Sequence, residues 1–316
     1  MNSTHIATFL LSLTFVLWTS SKSAWAIQNP ETTNHQNQKI ISAKKVGTTV
    51  IEISLSNNQQ LIFDFYSDQI FRLFQDNTGG KLRDPEAKPT AKILVENPRK
   101  PVTKLELTDA ANLVTIKTTY VVVEIDKNTA LFKIINGTTN EVTLEESAPV
   151  SFQKNAVILS LKENSSEYFY GGGVQNGRFS HKGKSISIEN QNSWTDGGVA
   201  SPTPFYWSTK GYGVLWHTFK KGKYDFGANE KGLVTLMHET NYLDVFYMLG
   251  NDAAALLNNF YQLTGNPILL PKCGLYQGHL NAYNRDFWTE DEQGILFEDG
   301  KRYKESQTEK SGMKES

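Results

Sequence analysis

Of 316 residues only one is a cysteine, Cys273, which excludes an internal disulfide and a cysteine-built metal cluster. A lone cysteine in such a chain reads as a small buried apolar side chain. An excess of one charge is also missing. The 32 Lys and Arg against 33 Asp and Glu leave a net charge of −1, no electrostatic footing for nucleic acid or an anionic membrane. No histidines fall at zinc-binding spacing, and no phosphate-cradling loop or nucleophilic serine elbow is found; Gly171-Gly172-Gly173 is too short to hold phosphates. Long apolar runs are confined to residues 6–18, too short to span a bilayer comfortably. Ala24-Trp25-Ala26 follows, with small residues where a signal peptidase reads. Residues 1–26 are therefore expected to be a secretory signal cleaved after Ala26, leaving a secreted or periplasmic protein without a membrane span.

What the chain does have is enough apolar matter to fold: 39% hydrophobic residues against 21% charged. Residues 27–45 are polar and read as a linker. From Val46 the pattern turns period-two: Ile51, Ile53 and Leu55 alternate with Glu52, Ser54 and Ser56, and Leu61, Phe63 and Phe65 with Ile62, Asp64 and Tyr66. Further strands are expected near 102–107, 113–118, 120–125, 130–135, 142–144, 156–161, 168–171, 185–188, 205–208, 213–217, 232–238 and 243–249. Asn136-Gly137 is expected to supply a two-residue hairpin turn, because that pair readily takes two positive φ values. The Pro-rich stretch 85–101 reads as a long loop. A dozen or more short strands in succession, almost without helix, predict a mainly-β antiparallel sandwich over 46–265.

The periodicity changes at Gly250. Asp252 suits an N-cap, Ala253, Leu256, Leu257, Phe260 and Leu263 fall at helical spacing, and Gly265 stops the helix. A stiff connector, Asn266 to Lys272, leads to a buried strand at 274–280. Beyond Trp288 the sequence is polar with no apolar stripe of its own; Asp286, Glu290, Asp291 and Glu298 read as a solvated charged surface rather than a catalytic pair.

Several segments, in this order and spacing, resemble glycoside hydrolase family 31, the α-glycosidases. They are Phe169-Tyr170-Gly171-Gly172-Gly173, Pro204-Phe205-Tyr206-Trp207-Ser208, Gly211-Tyr212-Gly213-Val214, and Leu263-Thr264-Gly265-Asn266-Pro267 with Leu270-Pro271-Lys272. The resemblance covers roughly residues 46–290. It implies a galactose-mutarotase-like sandwich, a linker helix and, over 266–316, the first strand of an incomplete (β/α)8 barrel. Two departures stand out. Val174-Gln175-Asn176 follows the glycines where the family usually has an acidic residue, and Gly278 to Asp286 is unlike the strand-1 end of the familiar α-glucosidases.

Retaining glycosidases need two carboxylates about 5–5.5 Å apart. The family keeps both on a barrel of roughly 250 residues. Only about 45 residues follow the connector here, so no catalytic residue is assigned and the chain alone is expected to be inactive. The resemblance implies a substrate-binding role for a sandwich loop, with Trp194 stacking on a sugar face and Asn192 and Asp196 binding hydroxyls, and for His279 and Asn281 at the end of barrel strand 1. The alternatives are a core Trp194 beside a simple Asp196-Gly197-Gly198 turn. The expected partner is an oligosaccharide or glycoside, with no metal or cofactor. α-Glucosides, α-xylosides, α-galactosides and α-N-acetylgalactosaminides all stay open. Two rival functions remain: a non-catalytic sandwich binding carbohydrate or a partner, and an aldose-1-epimerase-like enzyme. The latter would pair Glu189 or Glu239 with His181, His217 or His238.

Overall fold

The computed structural model describes residues 38–177, 179–191, 197–269, 271 and 288–305. The chain divides into two compact units, Met1–Asn266 and Pro267–Ser316. The first is an antiparallel sandwich and the second contains a two-stranded hairpin.

One sheet of the sandwich has eight strands. It is built from β1 (Ile40–Val46), β2 (Val50–Leu55), β3 (Gln60–Ser67), β4 (Ile70–Asp76), β11 (Phe169–Gln175), β13 (Val199–Ser208), β14 (Tyr212–Trp216) and β17 (Tyr242–Leu249). Its order is β1-β2-β3-β4-β17-β14-β13-β11. The facing sheet has nine: β5 (Glu106–Asp109), β6 (Leu113–Lys117), β7 (Val121–Asp126), β8 (Phe132–Asn136), β9 (Val142–Phe152), β10 (Val157–Lys162), β12 (Ser185–Ile188), β15 (Gly222–Phe226) and β16 (Leu233–His238). Its order is β12-β15-β16-β10-β9-β8-β7-β6-β5.

The period-two segments behave as alternation dictates. Ile51, Ile53 and Leu55 of β2, Val121, Val123 and Ile125 of β7, and Val157, Leu159 and Leu161 of β10 all point into one core. Aromatic side chains join the sheets across that core. Phe132 lies edge-on to Phe63 at 6.3 Å and to Tyr247 at 5.6 Å. Strands β4 and β17 are buried almost throughout, because their other face lies under α1 (Ala253–Thr264) and the 93–94 segment. Asp252 caps α1 by accepting from the Ala255 N–H at 2.8 Å, and Gly265 ends it with a φ of 92°.

Three expectations are corrected. Residues 40–45, read as linker, form most of β1, an edge strand that pairs with β2 and buries only Ile40. Its lysines give the edge the charge that discourages pairing with another chain. The β8–β9 connection is longer than a two-residue turn. Asn136 accepts the Thr138 N–H through its side chain, and the positive φ belongs to Asn140. Gly137 is needed instead for closeness, since a Cβ there would sit 2.9 Å from the Thr119 carbonyl oxygen. Finally, the polar stretch after residue 288 is not without structure. Trp288–Leu296 and Arg302–Glu305 form β18 and β19, an antiparallel hairpin whose Phe297 and Tyr303 rings meet edge-on at 5.3 Å. The strand expected at 274–280, and Cys273 before it, lie outside the described residues.

Candidate functional site

The five residues proposed to bind sugar, Asn192, Trp194, Asp196, His279 and Asn281, lie outside the described residues. What is visible is the base from which the 192–196 segment departs, between β12 and β13. At one foot, the Gln191 amide donates to Ser187 Oγ at 3.2 Å. At the other, the Gly197 N–H donates to the Asn176 carbonyl at 2.9 Å and the Asn176 N–H donates to the Gly198 carbonyl at 3.0 Å. Gln175, 8% exposed, reaches sideways: its amide donates to the Gly172 carbonyl at 2.9 Å and the Ser187 carbonyl at 3.1 Å. Gln175 thus ties β11 to the end of β12, and Asn176 fastens the start of β13.

Gln175 and Asn176 stand where an acidic residue was expected from the resemblance. The sequence marks them as a departure from the family pattern and does not by itself reveal that they act as fasteners. The signal was their position directly after a glycine triplet. All three of those glycines have positive φ, and β11 pairs with β13 through two register shifts. At Gly173 a Cβ would lie 2.1 Å from the Ser201 carbonyl oxygen, so only glycine lets the strands approach there.

On the other face of this edge runs a row of rings. Trp207 stacks on Tyr170 with centroids 4.5 Å apart, and Tyr170 meets Phe179 at 5.5 Å. Phe179 is 88% exposed. Such a row presents apolar ring surface to solvent, the kind of face on which a sugar's C–H groups pack.

The histidines weighed as acid–base candidates are all buried. His181 Nε2 lies 2.8 Å from the Gly171 carbonyl oxygen. His238 lies 2.9 Å from both the Lys220 carbonyl oxygen and the Tyr224 hydroxyl, and burial lowers its pKa to about 4. His217 Nδ1 is 3.0 Å from Asp244. Glu189 and Glu239 do not join any of them; both face Lys221, at 3.6 and 3.3 Å. Among the charged groups of the hairpin, Glu290 pairs with Lys301, and both are well exposed. Among the described residues no group of three or more His, Cys, Asp or Glu is placed to hold a metal ion, and no helix is long and apolar enough to cross a membrane.

A buried ionic network was not visible in the sequence. Arg72 of β4 donates from Nε and Nη2 to the two Asp244 carboxylate oxygens, both at 2.7 Å, and His217 approaches the same carboxylate. Burial pulls the Arg72 guanidinium pKa down, but the Asp244 carboxylate more than offsets it, leaving it raised. In the core, burial also holds the Glu146 carboxyl well above the usual carboxylate range, although the Phe132 N–H donates to it at 3.1 Å.

Residues 60–225 match the family described as the glycosyl hydrolase 31 N-terminal galactose mutarotase-like domain. An α-xylosidase from Emericella nidulans is 31% identical over 106 residues, covering 33% of this chain and 14% of that protein. Among solved structures, a Flavobacterium johnsoniae family 31 dextranase complexed with glucose superposes with a TM-score of 0.66 at 17% identity, covering 75% of this chain and 29% of that one. The cycloalternan-forming enzyme from Listeria monocytogenes, in complex with a pentasaccharide substrate, gives a TM-score of 0.64 at 19% identity, covering 74% of this chain and 23% of that one. The chain thus spans less than a third of these two enzymes, and at such identities the likeness shows the fold alone.

Proposed function

The chain belongs to the glycosyl hydrolase 31 family, of which it carries the N-terminal galactose mutarotase-like domain, and we propose that it serves as the N-terminal part of a secreted retaining α-glycosidase acting on terminal α-linked sugars. The observation that carries this reading is the family match over residues 60–225. The anchoring of the 191–197 segment at both feet agrees with it. A segment that must meet a substrate needs a fixed base, because misplacement by about 1 Å at a site is costly.

In this reading the sandwich supplies a wall of the sugar pocket and not the reacting groups. Retaining hydrolysis requires one carboxylate as nucleophile and a second as acid and then base. Those groups belong to the barrel the resemblance implies, so the present chain by itself does not turn over glycosides. Trp194 packs against the sugar ring, and Asn192 and Asp196 bind hydroxyls where the pocket excludes water. His279 and Asn281 are proposed as further substrate-binding residues, contributed by the barrel the resemblance implies. The substrate is an α-linked oligosaccharide or glycoside, in keeping with the glucose and pentasaccharide named for the two solved enzymes.

The test is made in a longer homologous enzyme carrying the same Asn-Ser-Trp-Thr-Asp segment. Asp196→Ala is expected to lower kcat/KM by one to two orders of magnitude, the roughly 1.5–3 kcal/mol of a charged hydrogen bond. Trp194→Ala is expected to cost a similar amount. A kinetically silent Asp196→Ala, with Trp194→Ala lowering only thermal stability, refutes the site. Secretion is tested separately, by N-terminal sequencing of the exported protein, which should begin at Ile27.

A further inference from the structure

A groove of about 920 Å³ opens at one end of the sandwich. Its walls are the 83–88 segment after β4, the β9–β10 turn at 154–155, the 218–220 segment after β14, and the β16–β17 turn at 239–242. That volume lies near the top of the roughly 300–1,000 Å³ usual for a ligand site, so it has room for more than a single sugar ring. We infer that the groove binds a neutral oligosaccharide, taking the sugar units that follow the terminal one. The inference rests on the sugar-binding reading of the 192–196 segment given above.

Three observations lead there. The first is charge. The lining carries Arg83, Lys88, Lys154 and Lys220 against Asp84, Glu86 and Glu239. Directly behind it, Arg83 pairs with Asp76, Arg72 is shared by Asp84 and Asp244, and Lys221 is shared by Glu239 and Glu189. With each shared cation counted once, six basic side chains meet six carboxylates. A ligand of either sign therefore gains no net attraction there. Ammonium groups only donate hydrogen bonds and carboxylates only accept them, whereas a sugar hydroxyl does both. A chain of hydroxyls can thus meet a lining that mixes the two without carrying charge itself.

The second is the surface between the charges. Phe219 stands in the lining 42% exposed and stacks on no described ring. The side-chain amides of Asn155 and Asn241, also in the lining, make no hydrogen bond with the described residues. An open ring face beside such amides suits a sugar, which offers C–H groups to the one and hydroxyls to the other.

The third is position. Leu215 of β14 stands opposite Phe205 of β13, and Gln175 of β11 opposite Val199 at the start of β13. The 218–220 wall and the feet of the 191–197 segment therefore leave the eight-stranded sheet at the same end. Lys221 joins them. It faces Glu239 on the groove at 3.3 Å and Glu189, two residues before Gln191, at 3.6 Å. The walls are also fixed from within. The buried Arg72 donates from Nη2 to the Arg83 carbonyl at 2.6 Å, Arg83 lies over the Tyr242 ring at 4.2 Å, and His238 lies 2.9 Å from the Lys220 carbonyl oxygen. Walls ordered before the ligand arrives lower the cost of binding it.

The test is isothermal titration calorimetry on the purified full chain, with isomaltose, isomaltohexaose, maltose, maltohexaose and an oligogalacturonate as probes. One or both neutral hexasaccharides should bind at least about tenfold more tightly than the matching disaccharide and than the oligogalacturonate. Raising the salt from about 0.05 M to about 0.5 M should leave that affinity within about twofold, since no net charge is neutralised. Phe219→Ala and the double variant Asn155→Ala/Asn241→Ala should each weaken hexasaccharide binding about tenfold. Phe219→Tyr, which keeps the ring, should retain the parent affinity. No binding of either hexasaccharide at millimolar concentration overturns the inference, and so does an affinity for the oligogalacturonate equal to that for the neutral probes or above it. Binding unchanged in both Phe219→Ala and the asparagine double variant also overturns it. Loss of binding in Trp194→Ala with none in Phe219→Ala would put the sugar on the 192–196 segment alone. That result overturns the groove and supports the glycosidase reading, whose own failure is read from Asp196→Ala kinetics in the longer enzyme.

Discussion

His238 departs from its free state in a way that can be followed by pH. Unfolded, an imidazole takes up its proton near 6.5; here burial holds that step down to about 4. Between these values the unfolded chain binds more protons than the folded one. Stability that is complete above pH 6.5 is therefore lost as pH falls towards 4. Between pH 7 and pH 5 this group should cost about 2 kcal/mol. His238→Gln should be less stable at pH 7, because it disturbs contacts to Lys220 and Tyr224, yet its loss between pH 7 and pH 5 should be about 2 kcal/mol smaller than the parent's. Urea titrations at the two pH values measure this, and parallel pH profiles refute it. Arg72 gives a second residue-scale expectation. Arg72→Met leaves Asp244 buried beside His217 without its bidentate partner, so denaturant titration should show a loss of about 3–5 kcal/mol. Neither residue was legible as special in the sequence. A strand arginine or histidine looks the same whether it faces water or a buried carboxylate 172 residues away.

At the scale of elements, the glycine run of β11 and the cap of α1 make contrasting predictions. Gly173→Ala must accept a φ of 78° and a clash with the Ser201 carbonyl. The strained backbone costs about 1–2 kcal/mol and the overpacking about 1–3 kcal/mol more. Gly232→Ala has a similar φ of 86° with open space around it, so it should cost only the first part. Equal melting temperatures for the two variants would contradict the close approach of β11 to β13. Asp252→Ala should cost about 1 kcal/mol through the lost cap. The cap, the helix and the strands that bury one face were readable because alternation and spacing carry them. Strand β4 was not: it is buried on both faces, so its Ile-Phe-Arg-Leu-Phe-Gln-Asp run shows no period of two. Strand β1 was hidden by the polar character of an edge, and β18–β19 by that of an exposed hairpin. Gln175 and Asn176 stood out only as a departure from a resemblance, because fastening depends on which carbonyls the fold brings near, and spacing does not report that.

For the whole molecule, the account divides labour between a sandwich that is present and reacting groups that belong to a barrel. The connection between the two units exposes Ile268 and Leu269, 87% and 94% accessible, so limited proteolysis should cut there first and leave a core of about residues 40–266. Rapid cleavage inside the sandwich with the connection intact would contradict that division. The central claim is tested most directly by assaying the purified 316-residue chain against a panel of nitrophenyl α-glycosides. The account predicts no hydrolysis above the buffer rate, because the nucleophile and the acid–base group together supply most of the acceleration. Turnover near 1 s⁻¹, within the range of working enzymes, would show that the chain holds a catalytic pair of its own and would contradict the account.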